Sequence, residues 1–182
     1  MAQFEIALKR TLTFEGGYSN NPNDAGGETY CGISRVFNPN WLGWKRVDEI
    51  KEHGSEPKAD DTLLMVYVSD FYRGNMWDKI RGDAIQSQRI ADAFFDTATN
   101  FSVLTAIRMV QECLDLLGDG VTVDGLIGTQ TIAALNKIAG NEDEFIELLK
   151  SRRHAHRWNS VKKKPTNRVF MNGWILNRDY GL

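Results

Sequence analysis

The sequence is poor in several features that mark particular classes of protein. It has two cysteines, Cys31 and Cys113, far apart and each among apolar or glycine neighbours. With no CxxC pair they read as small buried hydrophobes, and a disulfide is not required. Of three histidines only His154 and His156 are close, and a spacing of two does not put both on one helix face. No metal and no other cofactor is expected. No run of about eighteen apolar residues occurs, so no membrane-spanning helix is expected. The stretch Met1-Ala2-Gln3-Phe4-Glu5-Ile6 lacks the basic and long apolar regions of a signal peptide, and synthesis in the cytoplasm is the expectation. The formal net charge is −2, which argues for neither nucleic acid nor membrane steering. Internal repeats, low-complexity tracts and long linkers are also absent.

What remains is an ordinary globular composition. The 182 residues, 42% hydrophobic and 25% charged, suffice for one core or for two small lobes. The most informative stretch is 14–34, Phe-Glu-Gly-Gly-Tyr-Ser-Asn-Asn-Pro-Asn-Asp-Ala-Gly-Gly-Glu-Thr-Tyr-Cys-Gly-Ile-Ser. Phe4, Ala7, Leu8, Thr11 and Leu12 predict one face of a helix that Gly16 or Gly17 stops. Glu15 then stands at the helix's negative end, where the dipole disfavours the anion. Burial against Phe14 or Tyr18 would raise its pKa further, as a general acid needs. Asp24 follows in a loop of Asn, Pro and Gly, and Thr29 comes next. Two carboxylates joined by a loop suit acid/base cleavage of a glycosidic bond across a cleft. The residues alone equally allow a glycine helix stop followed by a surface loop with solvated acids.

The pattern predicts an irregular loop over 19–27, a small β element within 28–34 and a short helix over 45–53. A helix capped by Asp60 or Asp61 should carry Leu63, Leu64, Tyr67, Val68, Phe71 and Tyr72, stop at Gly74-Asn75 and leave Met76-Trp77 in a turn. Further helices are predicted from Ala84 to Ala98, from Val103 or Leu104 to Leu117, after Thr129 as N-cap, over 142–158, and near the C-terminus. Asp96 or Asn100 is expected to cap the helix that follows. The Asp-Gly turns of 119–128 lack the order of acids of a calcium loop. Arg152 to Arg168 is a basic run without an acid, most simply a solvated face. Trp41 and Trp44 either fill core or stack on sugar rings.

The string Glu15-Gly16-Gly17-Tyr18, Asp24, Gly26-Gly27, Thr29 and Gly32-Ile33-Ser34 resembles the signature of glycoside hydrolase family 108, lysozymes of phage endolysins and bacterial secretion activators. The order Glu, Asp, Thr also resembles the catalytic trio of other phage-type lysozymes. Residues 91–140, with Val123-Asp124-Gly125, Gly128 and Thr129, resemble three-helix peptidoglycan-binding modules. The resemblance implies a mainly α, lysozyme-like fold with a small β element. A catalytic region at 1–90 would be packed with a helical peptidoglycan-binding-like half at 91–182.

The activity implied is that of an N-acetylmuramidase acting on peptidoglycan glycan strands. Catalytic roles fall to Glu15, Asp24 and Thr29, and substrate contacts to Tyr18, Tyr30, Trp44, Trp77 and Asn100. The alternative to a solvated face for the basic run is contact with anionic wall polymers or stem-peptide carboxylates, and no nucleic-acid partner is expected. A monomer that reaches the periplasm or wall through a holin or another export route is expected. The rival readings are a lytic transglycosylase and a non-catalytic peptidoglycan-binding or secretion-accessory protein.

Overall fold

The computed structural model describes residues 1–20, 27–171 and 173, without the side chains of Phe14, Glu15 and Phe170. Among the described residues the fold is mainly α-helical, of the lysozyme-like class, with seven α-helices and one three-stranded sheet. In chain order these are α1 (Phe4–Glu15), β1 (Tyr18–Asn20), β2 (Glu28–Tyr30), β3 (Ile33–Ser34), α2 (Gly43–Glu52), α3 (Thr62–Tyr72), α4 (Gln88–Phe101), α5 (Val103–Leu116), α6 (Thr129–Lys137) and α7 (Glu142–Lys163). No helix among the described residues is long and apolar enough to cross a membrane. Two compact units emerge, Leu8–Asn75 and Met1–Ala7 with Met76–Leu182.

In the unit Leu8–Asn75, the later part of α1 buries Leu8 and Thr11. Gly16 ends the helix at φ +67°, a conformation that costs a side-chain-bearing residue far more than glycine. The sheet is antiparallel in the order β1-β2-β3, pairing Tyr18 with Tyr30, Ser19 with Thr29 and Asn20 with Glu28. Across β2 and β3, Thr29 faces Ser34 and Tyr30 faces Ile33. Ser19 and Asn20 therefore belong to a strand rather than to the irregular loop expected from their polarity; pairing with β2 overrides their weak strand propensity. Tyr72 ties α3 to the sheet by donating its hydroxyl to the Cys31 carbonyl at 2.8 Å. Asp61 caps α3, accepting from the Leu64 amide at 2.9 Å, and is braced by Arg46 at 3.1 Å. The helix buries Leu64, Val68 and Tyr72 but leaves Leu63 exposed. It does not stop at Gly74: the chain continues as a π-turn, Arg73–Trp77, which carries Trp77 inward.

The other unit is built on α4, α5 and α7, each packed against the other two, with α6 against α5. Phe4, Trp77 and Phe95 form a buried aromatic cluster with ring centroids 5.6–5.9 Å apart. Trp77 Nε1 donates to Asp83 at 2.8 Å. α4 starts later than expected, at Gln88, because Ser87 caps it by accepting from the Ile90 amide. α5 is capped by Ser102, so neither Asp96 nor Asn100 serves there. Thr129 is the first residue of α6 and Gly128 takes the cap position without a side-chain bond. Buried Gln111 organises the loop before α6. Its Nε2 donates to Asp124 (2.8 Å) and the Leu126 carbonyl (3.0 Å), and its Oε1 accepts from the Gly125 amide (2.8 Å). α7 runs five residues past the expected end at Trp158, to Lys163, and buries Arg153 and Arg157 from within the basic run. Of the expected C-terminal helix, the described part is a 3-10 stretch, Pro165–Phe170. Cys31 and Cys113 are both buried, and no disulfide joins them.

Candidate active site

The site predicted from sequence falls where α1 hands over to the sheet. Glu15 is the last residue of α1, and three residues later the chain enters β1. The Glu15 side chain and all of Asp24, in the segment joining β1 to β2, lie outside the described residues. Thr29 occupies the centre of the middle strand, half-buried, with Ser19 opposite it on one side and Ser34 on the other. Because side chains alternate across a strand, these three hydroxyl residues share one face of the sheet. Thr29 Oγ1 donates to the Gly27 carbonyl at 3.2 Å, which fixes its rotor and leaves the oxygen as an acceptor.

The opposite face carries Tyr18, Glu28 and Tyr30. Glu28 accepts from the Tyr18 hydroxyl at 2.7 Å and from Lys51 Nζ at 2.6 Å, and its other oxygen lies 2.7 Å from Arg35 Nε. Arg35 in turn holds Asp48 with both terminal nitrogens, at 2.6 and 3.1 Å. Burial alone would raise the Glu28 pKa. The bonds from Lys51 and Tyr18, with the Arg35 charge, outweigh it and hold the carboxyl below its usual range. Glu28 is thus an anion clamped by cations, unsuited to donate a proton near neutrality. The Tyr18 hydroxyl, desolvated and bonded to this carboxylate, is shifted upward and stays protonated.

The aromatic candidates separate by burial. Tyr18 is partly open, with Lys51 Nζ 5.8 Å from its ring centroid. Tyr30 is 0% exposed and donates to the Lys58 carbonyl at 2.7 Å; burial is the main reason its hydroxyl stays protonated. Trp44 is 4% exposed, donates Nε1 to the Asn38 carbonyl at 2.8 Å, and has Arg35 4.5 Å above its ring. Tyr30 and Trp44 therefore offer no open ring face to a sugar. Trp77 is sealed in the aromatic cluster of the other unit. Asn100, also in that unit, donates Nδ2 to the Asp96 carbonyl at 2.6 Å and accepts from Arg157 at 3.5 Å. It lines a pocket of about 230 Å³ with Phe101, His156 and Arg157. So Tyr18, Thr29, Tyr30 and Trp44 share one unit with Glu15, while Trp77 and Asn100 belong to the other.

Sequence reasoning passed over Glu28, Arg35, Asp48 and Lys51. The period-2 alternation of 28–30 carried the needed signal for Glu28, since it places that residue on the same face as Tyr30. Its partners come from β3's end and from α2, a juxtaposition that no spacing rule reveals.

Comparison with known proteins supplies the class. Residues 8–101 match the family model for glycosyl hydrolase 108, and residues 105–179 match that of a predicted peptidoglycan domain. Eleven chains of solved structures are similar. Among them, SagA of Brucella abortus is 29% identical with a TM-score of 0.66, covering 97% of this chain and 89% of that one. No curated protein matches the sequence. A glycosyl hydrolase 108 segment followed by a predicted peptidoglycan domain marks a glycoside hydrolase directed at peptidoglycan. The chain belongs to the glycosyl hydrolase 108 family.

Proposed function

We propose that this protein is an N-acetylmuramidase that hydrolyses the β-1,4 bond between N-acetylmuramic acid and N-acetylglucosamine in peptidoglycan. The observation that carries the reading is the position of Glu15: the last residue of α1, immediately before the φ +67° turn at Gly16, within the segment matched by the hydrolase family. A carboxyl at a helix C-terminus is disfavoured as an anion, which is the direction a general acid needs. Asp24 then activates water or stabilises the oxocarbenium-like charge. Thr29, its oxygen free to accept from the hydroxyl face of the sheet, orients that water or the substrate. Tyr18, partly open on the opposite face of the sheet, contributes to substrate contact. The clamped state of Glu28 supports this division of labour, because the acid must be a different carboxyl. The residues at 105–179 act on the same polymer. The protein works as a monomer on the wall, reached through a holin-type or other export route.

The deciding experiment is turbidity loss of purified peptidoglycan, with released fragments analysed for reducing ends and mass. Native protein should release reducing muramic-acid ends, and Glu15→Gln should lower the rate at least about a hundredfold, the scale of general acid catalysis. Anhydro-muramyl products would replace hydrolysis with a lytic transglycosylase reaction. Equal activity in the mutant removes Glu15 from its role. Sedimentation with peptidoglycan but no cleavage makes the protein a binding module.

A further inference from the structure

In the unit Leu8–Asn75, the segment between β3 and α2 and the outer side of α3 enclose an open pocket of about 480 Å³. Phe37, Asn40 and Trp41 line it from the segment, and Tyr67, Asp70 and Phe71 line it from α3. None of these residues enters the catalytic assignment above. We propose that this pocket is a saccharide-binding subsite that holds an N-acetylhexosamine unit of a β-1,4 glycan strand. The proposal rests on the peptidoglycan reading only for the identity of the polymer.

Three observations carry it. The first is rigidity. The Asn38 amide donates to the Ser34 carbonyl at 2.8 Å and the Trp41 amide to the Asn38 carbonyl at 3.2 Å. Trp41 Nε1 donates to the Tyr67 carbonyl at 3.1 Å, and the Trp41 ring sits edge-on against Trp44 with centroids 4.9 Å apart. The segment is fixed to both α2 and α3. Even so, it presents Phe37, 74% exposed, and Leu42, 73% exposed, to water at the pocket. Apolar side chains held outward on a braced backbone are a surface built for contact.

The second observation is the chemistry of the lining. Aromatic rings suit the C–H faces of a pyranose and the methyl of an acetamido group. The Asn40 amide and the Asp70 carboxylate are the kind of groups that take hydroxyl and N–H donors from a sugar. The third is charge. Asp70 is the one charged side chain among the described lining residues. An anionic stem peptide or a phosphate-bearing polymer would meet repulsion there, whereas a neutral, polyhydroxylated acetamido sugar would not. The volume falls within the usual range for small-molecule sites.

The test is isothermal titration with a β-1,4-linked tetramer of N-acetylglucosamine. Glu15→Gln protein is compared with the same protein carrying Phe37→Ala or Asp70→Ala, and Leu116→Ala, on the other unit, serves as control. Phe37 and Asp70 are exposed, so both variants should keep the native circular dichroism spectrum. Saturable binding that either variant weakens about tenfold, the scale of one lost aromatic or polar anchor, while Leu116→Ala leaves it unchanged, supports the subsite. Unchanged affinity in both variants overturns it, as does absence of binding. A sedimentation shift from dimer to monomer in Phe37→Ala, without a change in glycan affinity, also overturns it and makes the surface a self-association face. Cleavage of whole peptidoglycan, measured in parallel, separates the two readings. Glu15-dependent cleavage with Phe37-independent binding sinks the subsite alone; Phe37-dependent binding without cleavage sinks the muramidase reading alone.

Discussion

The two units each contain a carboxylate held by arginine, and they hold it in opposite ways. In the sheet-bearing unit, Glu28 is shared among Tyr18, Arg35 and Lys51, with Arg35 and Lys51 about one-third exposed. In the helical unit, Asp96 is paired with Arg153 at 2.8 Å, and both side chains are almost wholly sealed. Arg153 also donates to Thr97 at 3.1 Å and lies 5.4 Å from the Phe101 ring. Water can replace part of what the Glu28 cluster loses, and it cannot reach the Asp96 pair. One cluster is therefore tolerant of single changes and the other is not.

The sharpest way to break the contrast is Arg153→Met alone. It takes the paired positive charge from buried Asp96, to which Asn100 Nδ2 still donates at 3.2 Å, and should cost about 3–5 kcal/mol in chemical denaturation, while Asp96→Leu combined with Arg153→Met should recover most of that loss. An equal loss in single and double variants would mean that packing, not charge, holds this place. Next, Gly82→Ala tests how tightly the helical unit is closed. A Cβ there would lie 2.3 Å from the Trp77 ring, so a loss of about 1–3 kcal/mol is expected from overpacking.

Glu28→Gln should cost less, about 1–2 kcal/mol, because hydrogen bonds to a charged group are replaced by neutral ones. Its signature is pH dependence. Glu28 sits below the ordinary 4.5 in the folded protein. The stability it contributes is therefore present at neutral pH and lost as acid drives the pH down through the folded value. Thermal melts of the native protein should show this acid loss, and the Gln variant should flatten it. Smallest of all is Arg89→Ala. Arg89 pairs with Asp143, but the side chains are 48% and 84% exposed, and removal should change the melting free energy by less than about 0.5 kcal/mol.

The helices that bury one clear stripe were legible. α5 buries Ile107, Val110, Cys113 and Leu114 as its periodicity demands, and Asp61 caps α3 as its side chain suggests. β1 was not legible, because Tyr-Ser-Asn becomes a strand only when β2 pairs with it. Arg153 was hidden for another reason. In sequence it belongs to an acid-free run that reads as solvated, and its acid stands 57 residues earlier. The burial of Trp44 and Trp77 depends on Arg35 and on the π-turn after α3, neither of which leaves a local trace. At the candidate site, the helix stop after Glu15 was readable because backbone geometry at a glycine stop is local chemistry. Glu28's clamp was not, since it is assembled by tertiary folding.

The two cysteines carry a consequence of a different kind. Cys31 and Cys113 belong to different units, and both are 3% exposed. Burial pushes the Cys113 thiol up to about 12, far from the thiolate that oxidation and exchange require. Neither unit is tied together by a disulfide between these residues, and neither presents an accessible sulfur for one to form. The fold is therefore indifferent to the redox poise of its surroundings. Reductant should leave its melting curve unmoved, and a mild thiol oxidant should form no disulfide between Cys31 and Cys113.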